Sequence, residues 1–140
     1  GTPQDMSSLP ASAVFQEDRL CESFSPIENV AMCAGRSLKA PRIKWELARL
    51  LPEECLNRPV STLSGGMKRR VAVMRALLTP SRILLMDEPF TGMDDELKRN
   101  VISYIREKQD GRLLILSTHQ DEDVELIGGE LVRLENCMDV

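Results

Sequence analysis

Two four-residue runs, Ile83-Leu84-Leu85-Met86 and Leu113-Leu114-Ile115-Leu116, constrain the chain more than any other feature. Neither alternates with polar residues, as a strand with one wet face would, and both are strand-sized, far short of a membrane span. Continuous apolar runs of this kind belong to strands covered on both faces, hence to a parallel sheet with helices packed on it. The residues between them agree: Leu97, Val101, Tyr104 and Ile105 share one helical face, and Asp110-Gly111 turns the chain back. Downstream, Asp121 is placed to cap a short helix through Ile127, Gly128-Gly129 to turn, and Leu131 to Leu134 to form a last strand.

Upstream of these runs the pattern changes. The first dozen residues are small, polar and proline-bearing, which predicts a loop, and Ala13-Val14-Phe15 is a short apolar run. Ser25-Pro26-Ile27-Glu28 has the form of a capping box with proline at the first helical position. A second helix is expected after Ala40-Pro41, with Ile43, Leu47, Leu50 and Leu51 on one face and Trp45 at its flank. Leu63-Ser64-Gly65-Gly66 precedes a third helix, with the stripe Met67, Val71, Met74 and Leu78 and a stop at Thr79-Pro80. The stretch 27–62 reads as all helix. The expected class is α/β with a parallel sheet in the second half.

Composition removes other classes. At 42% hydrophobic and 29% charged residues, disorder is a poor fit. With 18 Lys and Arg against 22 Asp and Glu, the net charge of −4 argues against gripping nucleic acid through bulk positive charge. Cys21, Cys33, Cys55 and Cys137 contain no C-x-x-C pair, so buried or half-buried free thiols in a reducing compartment are expected rather than a zinc site. A single histidine excludes paired-histidine chemistry. The opening Gly1-Thr2-Pro3-Gln4-Asp5 carries neither an initiator methionine nor signal-peptide character and reads as the interior of a longer chain.

Four places can carry chemistry. Asp87-Glu88 ends the first apolar run, where parallel sheets put their ligands: one carboxylate can serve Mg²⁺ and the next can polarise a water. Alone, such a pair is more often an acidic helix cap after a strand. Ser64-Gly65-Gly66 opens a helix followed by Lys68-Arg69-Arg70, which suits an anion; alone, it is a capping serine before a solvated basic face. His119 follows the second run and is placed to meet a phosphate or a water, although a lone histidine is more often a satisfied surface or core residue. Gln16 follows Val14-Phe15 and carries no message by itself.

Together these motifs, in this order, resemble the ATPase subunits, or nucleotide-binding domains, of ATP-binding cassette (ABC) transporters. Val14-Phe15-Gln16-Glu17 is similar to the family's Q-loop, Leu63 to Met67 to its signature motif, and Ile83 to Glu88 to Walker B. Thr91-Gly92-Met93-Asp94 is similar to the D-loop, and His119 to the switch histidine. The wording around Gln16 and the signature is closest to bacterial importers of the nitrate, sulfonate and taurine kind. The resemblance implies ATP and Mg²⁺ as ligands. It implies Glu88 as general base, His119 as stabiliser of the transition state, and Asp87 and Gln16 as groups serving the metal. Ser64, Gly65 and Gly66 would bind nucleotide held by a second, head-to-tail ATPase protomer, and Asp94 would couple the two sites. The other implied partners are a transmembrane permease and a solute-binding protein, with the chain cytoplasmic and peripheral on the membrane's inner face. Residues 27–62 would form an inserted α-helical subdomain running into the signature helix 64–79, and 80–140 the catalytic α/β part.

One element of the family is absent. No lysine of this sequence directly follows a glycine, so there is no G-x-x-x-x-G-K-[ST] phosphate loop. The expected fold is therefore an incomplete P-loop-NTPase-like sheet with an unpaired edge prone to association. The chain by itself is expected not to hydrolyse ATP. A different reading is a non-enzymatic module that supplies its signature motif to a partner ATPase or occupies the permease. A cassette split by a long coiled coil, as in DNA repair and cohesion, is disfavoured. Gln16 and Ser64 are 48 positions apart, with Pro26, Pro41, Pro52 and Pro59 between them.

Overall fold

The computed structural model describes residues 11–36 and 38–128. Strands β1 (Ala11–Val14), β2 (Ile83–Asp87) and β3 (Leu113–Ser117) form one parallel sheet in that order. Its register sets Ala13 beside Leu85 beside Ile115, and Asp87 beside Ser117. Helices α1 (Pro26–Ala31) and α2 (Ala40–Leu47) and two 3₁₀ turns (Glu53–Cys55, Val60–Thr62) separate β1 from α3 (Gly65–Leu78). Helix α4 (Asp95–Gln109) crosses from β2 to β3, and α5 (Asp121–Ile127) follows β3. This is the α/β class and parallel sheet expected from the two apolar runs.

Local chemistry fixes the helix starts. The Ser25 hydroxyl accepts from the Glu28 amide while the Glu28 carboxylate accepts from the Ser25 amide, each at 3.1 Å, which completes the capping box. Ser64 caps α3 through the Met67 amide at 3.2 Å, and Asp94 caps α4 through the Leu97 amide at 2.8 Å. Helix α3 packs its Val71, Val73, Met74 and Leu77 side into a core shared with Val14, Ile43, Leu47, Leu84, Met86, Val101 and Ile105.

A buried carboxylate joins α2 to α4. Glu46 is 1% exposed, yet its Oε2 accepts from the Tyr104 hydroxyl at 2.7 Å and its Oε1 from Lys108 Nζ at 2.8 Å. Arg42 adds a longer bond to Oε1 at 3.3 Å. Burial, and then the Glu46 bond, push the Tyr104 phenol well above its ordinary pKa.

Several expectations are corrected. The sheet is not covered on both faces: Ser12, Val14, Leu84 and Met86 are buried, but Leu85, Leu113 and Ile115 on the opposite face are exposed. No described element packs over that second face, so the unbroken apolar runs mark a surface left bare among the described residues. The N-terminal loop stops sooner than expected, because β1 already begins at Ala11. Helix α2 ends at Leu47, so Leu50 and Leu51, expected on its apolar face, lie past its end. Pro52 disfavours helical backbone at Leu51, and the amides of Arg49 and Leu50 already bond three residues back. Among the described residues the stretch 27–62 holds no strand, only two short α-helices and two 3₁₀ turns. Asp121 is the first residue of α5 and so is not its cap. Cys55 is buried and Cys21 half-buried, but Cys33 is exposed; all three are free thiols. The strand expected over Leu131 to Leu134, Gly129 of the Gly128-Gly129 turn, and Cys137 lie outside the described residues.

Candidate functional site

The C-terminal ends of β2 and β3 bring three of the expected residues together. Because Asp87 pairs with Ser117, its side chain emerges on the bare face, where the Ser117 hydroxyl donates to Asp87 Oδ1. The Glu88 amide donates to the Ser117 carbonyl at 2.9 Å and carries the ladder one residue further. Glu88 then turns sharply, with φ +51°, a left-handed conformation that costs a non-glycine residue on the order of 1 kcal/mol or more. That turn sets its carboxylate 3.2 Å from His119 Nε2. Glu88 is partly sheltered, at 20% side-chain exposure, while the imidazole is 91% exposed.

The loop bearing His119 is held from behind. Thr118 donates to Asp123 at 2.7 Å and accepts from the Gln120 amide at 3.1 Å. Gln120 accepts from Lys98 Nζ, which also pairs with Asp123 at 2.9 Å. Helices α4 and α5 therefore fix the backbone on either side of His119 and leave its ring in solvent.

The signature residues lie elsewhere. Ser64 and Gly65 are exposed at the start of α3, and a Cβ at Gly65 would meet nothing within 4 Å. A Cβ at Gly66 would sit 3.5 Å from the Gly92 carbonyl, so the start of α3 lies against the turn leading to Asp94. Burial lowers the pKa of the Arg70 guanidinium, and nearby Cys55 and Asp94 oppose that shift. Asp94 thus neighbours the signature end. Among the described residues, no hydrogen bond or ion pair joins Ser64, Gly65, Gly66 or Asp94 to Asp87, Glu88 or His119. Gln16, just beyond β1, has an exposed side chain, and its carbonyl accepts from Arg69 at 3.4 Å.

The expected solvated basic face is corrected as well. Lys68 pairs with Glu22 at 3.1 Å, Arg70 donates to the Leu50 carbonyl at 2.7 Å, and Arg69 is 4% exposed. The burial of Arg69 had a signal: it shares an i, i+3, i+4, i+7 stripe with Ala72, Val73 and Ala76, all buried. Ser117, which steadies Asp87, had none, because its partner comes from register alone.

The donor set suits a hard cation incompletely. Asp87 and Glu88 supply carboxylate oxygens and Gln16 an amide oxygen, the types Mg²⁺ takes when most of its shell is water and phosphate. Among the described residues no group of three or more His, Cys, Asp and Glu is arranged to hold a metal alone. No described helix is long and apolar enough to cross a membrane.

A parallel sheet ending in Asp-Glu, a histidine after the next strand and, apart from them, a helix opened by two glycines define an α/β domain of the P-loop-NTPase-like class. The comparisons carry this further. A family profile described as "ABC transporter" matches residues 3–91. The thiamine import ATP-binding protein ThiQ of Jannaschia sp. (strain CCS1) is 34% identical over 138 residues, covering 94% of this chain and 60% of that protein. The molybdenum import ATP-binding protein ModC of Haemophilus ducreyi is 38% identical over 125 residues, covering 87% and 35% respectively. The dimeric structure of the ATP-binding cassette MJ0796 in a post-hydrolysis state, bound to ADP and Pi, superposes with a TM-score of 0.73 at 22% identity. That match covers 90% of this chain and 60% of the cassette. The chain belongs to the ABC transporter family of ATP-binding proteins, and it spans at most about three-fifths of the length of these relatives.

Proposed function

We propose that this chain is the Walker B, signature and switch-histidine portion of an ABC transporter ATPase, active when completed by a part that carries the phosphate loop. The observation that bears most weight is the convergence of Asp87, Glu88 and His119 at two adjacent strand ends, with Glu88 and His119 3.2 Å apart. In this reading Glu88 takes the proton from the attacking water, and His119, whose Nε2 lies 3.2 Å from the Glu88 carboxylate, meets the γ-phosphate. Asp87, steadied by Ser117, and Gln16 face the metal. Bound Mg²⁺ would neutralise phosphate charge there. Ser64, Gly65 and Gly66 act on the nucleotide of a second protomer, and Asp94 couples the two sites.

The bare face formed by Ala13, Leu85, Leu113 and Ile115 supports an incomplete site, since it runs directly to Asp87. A part carrying the phosphate loop would cover this apolar surface, pair with a sheet edge and exclude water from the carboxylates. The helical stretch 27–62 is read as the subdomain on which a permease docks, from the cytoplasmic side. The transported solute, and any solute-binding protein, belong to that partner.

The test is ATP hydrolysis by the 140-residue chain alone and by the same chain fused behind the phosphate-loop part of the thiamine-import relative. The expected result is no turnover by the chain alone, turnover by the fusion, and its loss in Glu88→Gln. Turnover by the chain alone that vanishes in Glu88→Gln would show that the phosphate loop is dispensable and defeat the proposal. A second reading, a module that only lends its signature to a partner, is favoured by the open surroundings of Ser64 and Gly65. It requires the chain to rescue a signature-defective partner while the fusion stays inactive.

A further inference from the structure

Arg69 bridges two strand ends that no other side chain connects among the described residues. Its Nη1 donates to the Phe15 carbonyl, to the Gln16 carbonyl at 3.4 Å and to Asp18 Oδ1 at 2.9 Å. Its Nη2 donates to the Asp87 carbonyl and, at 2.8 Å, to the Glu88 carbonyl, which also accepts from Nε at 3.2 Å. Carbonyls crowd at the C-terminal end of a parallel sheet because the ladder stops there, and a buried carbonyl needs a donor. A planar guanidinium with five N–H groups can serve both sides at once, whereas an ammonium with three cannot span the gap.

We propose that Arg69 is a positioning residue that holds the Gln16 loop and the Asp87-Glu88 strand end in one fixed relation. The proposal rests on the reading of Glu88 as the hydrolytic base. Glu88 needs such a hold. Its φ of +51° is unfavourable for a residue with a Cβ, and the three donors fixed on its carbonyl besides the Thr91 amide are Arg69 Nε, Arg69 Nη2 and the Thr91 hydroxyl. Arg69 lies one turn into the helix that Ser64 caps and Gly65 and Gly66 open, so helix α3 reaches the signature end, the Gln16 loop and the base together.

Two readouts test the proposal, and each can fail separately from the reading of Glu88. In the full chain, hydrogen exchange at the Glu88 amide should quicken about tenfold in Arg69→Gln, with the core amides of Val73 and Ile105 unchanged. Asp18→Asn should quicken Glu88 exchange about threefold in the native background and have no effect once Arg69→Gln is present. A side chain that merely filled space would transmit nothing from Asp18 to Glu88, so an Asp18→Asn effect that persists in Arg69→Gln overturns the proposal. In the fusion described above, Arg69→Gln and Arg69→Lys should each lower kcat about tenfold and leave KM for ATP within about twofold. Unchanged kcat in both variants also overturns it. If instead the fusion is inactive, or Glu88→Gln leaves it active, the reading of Glu88 fails while the exchange coupling still decides the bridge.

Discussion

The carboxylate of Glu46 offers the sharpest energetic test. Tyr104→Phe removes one oxygen and keeps the ring, so no cavity opens and the stacking of Arg49 (4.9 Å to the ring centroid) and Lys108 (5.8 Å) can persist. What is lost is specific. Lys108 and Arg42 both bond Oε1, whereas the donor to Oε2 is the Tyr104 hydroxyl. The variant therefore leaves one oxygen of a buried carboxylate without a partner. A hydrogen bond to a charged group contributes about 1.5–3 kcal/mol, and stranding the acceptor keeps the loss toward the upper half, so about 2 kcal/mol is expected. At an m-value of roughly 2 kcal/mol/M the urea midpoint should fall by about 1 M, followed through the single tryptophan, Trp45, on the same helix as Glu46. Glu46→Gln in the same background should recover part of that loss, because an amide strands less charge than a carboxylate. A midpoint shift under about 0.2 M, corresponding to less than roughly 0.5 kcal/mol, would refute the reasoning.

Two further predictions follow from burial. Tyr104 is the only tyrosine, and its phenol pKa is raised, so the folded protein should show no tyrosinate absorbance as pH passes about 10. Since the unfolded chain releases that proton first, this stability is complete below about pH 10 and falls as pH rises further. The Cys55 thiol, raised by burial, adds to the same slope from about pH 8.5; a tyrosinate midpoint near 10 in folded protein would contradict the assignment. On the bare face, Ile115→Thr should weaken self-association of the 140-residue chain in sedimentation while costing less than about 0.5 kcal/mol, because Ile115 is 54% exposed. Wild-type protein that stays monomeric across concentration would refute the association.

Local grammar was legible in the sequence and distant partnership was not. Ser25 with Glu28, Ser64 before α3 and the turn at Asp110, whose φ is +48°, depend on neighbours within a few residues, and the expected elements are there. The carboxylates at the end of β2 and the histidine beyond β3 follow from where apolar runs stop. By contrast, the acceptors of Arg69 lie 18 to 54 positions away and the α4 partners of Glu46 58 and 62. Nothing local marks a charge that finds such partners, apart from its place on a buried stripe. The apolar character of Leu113 and Ile115 was legible, but a run of leucines does not say whether its cover is present.

The pairing of β1 with β2 carries a kinetic consequence. Ala11 and Ile83 are register partners although 72 positions separate them. Synthesis delivers β1 first, and its hydrogen-bonding partner does not exist until α1, α2 and α3 have been made. Closing so long a loop costs entropy before any ladder bond returns it, so this pairing is expected to form more slowly than the local contacts of the helices between. The strand end leading to Gln16 and the one bearing Glu88 can therefore meet only late, after the helices between them have been laid down.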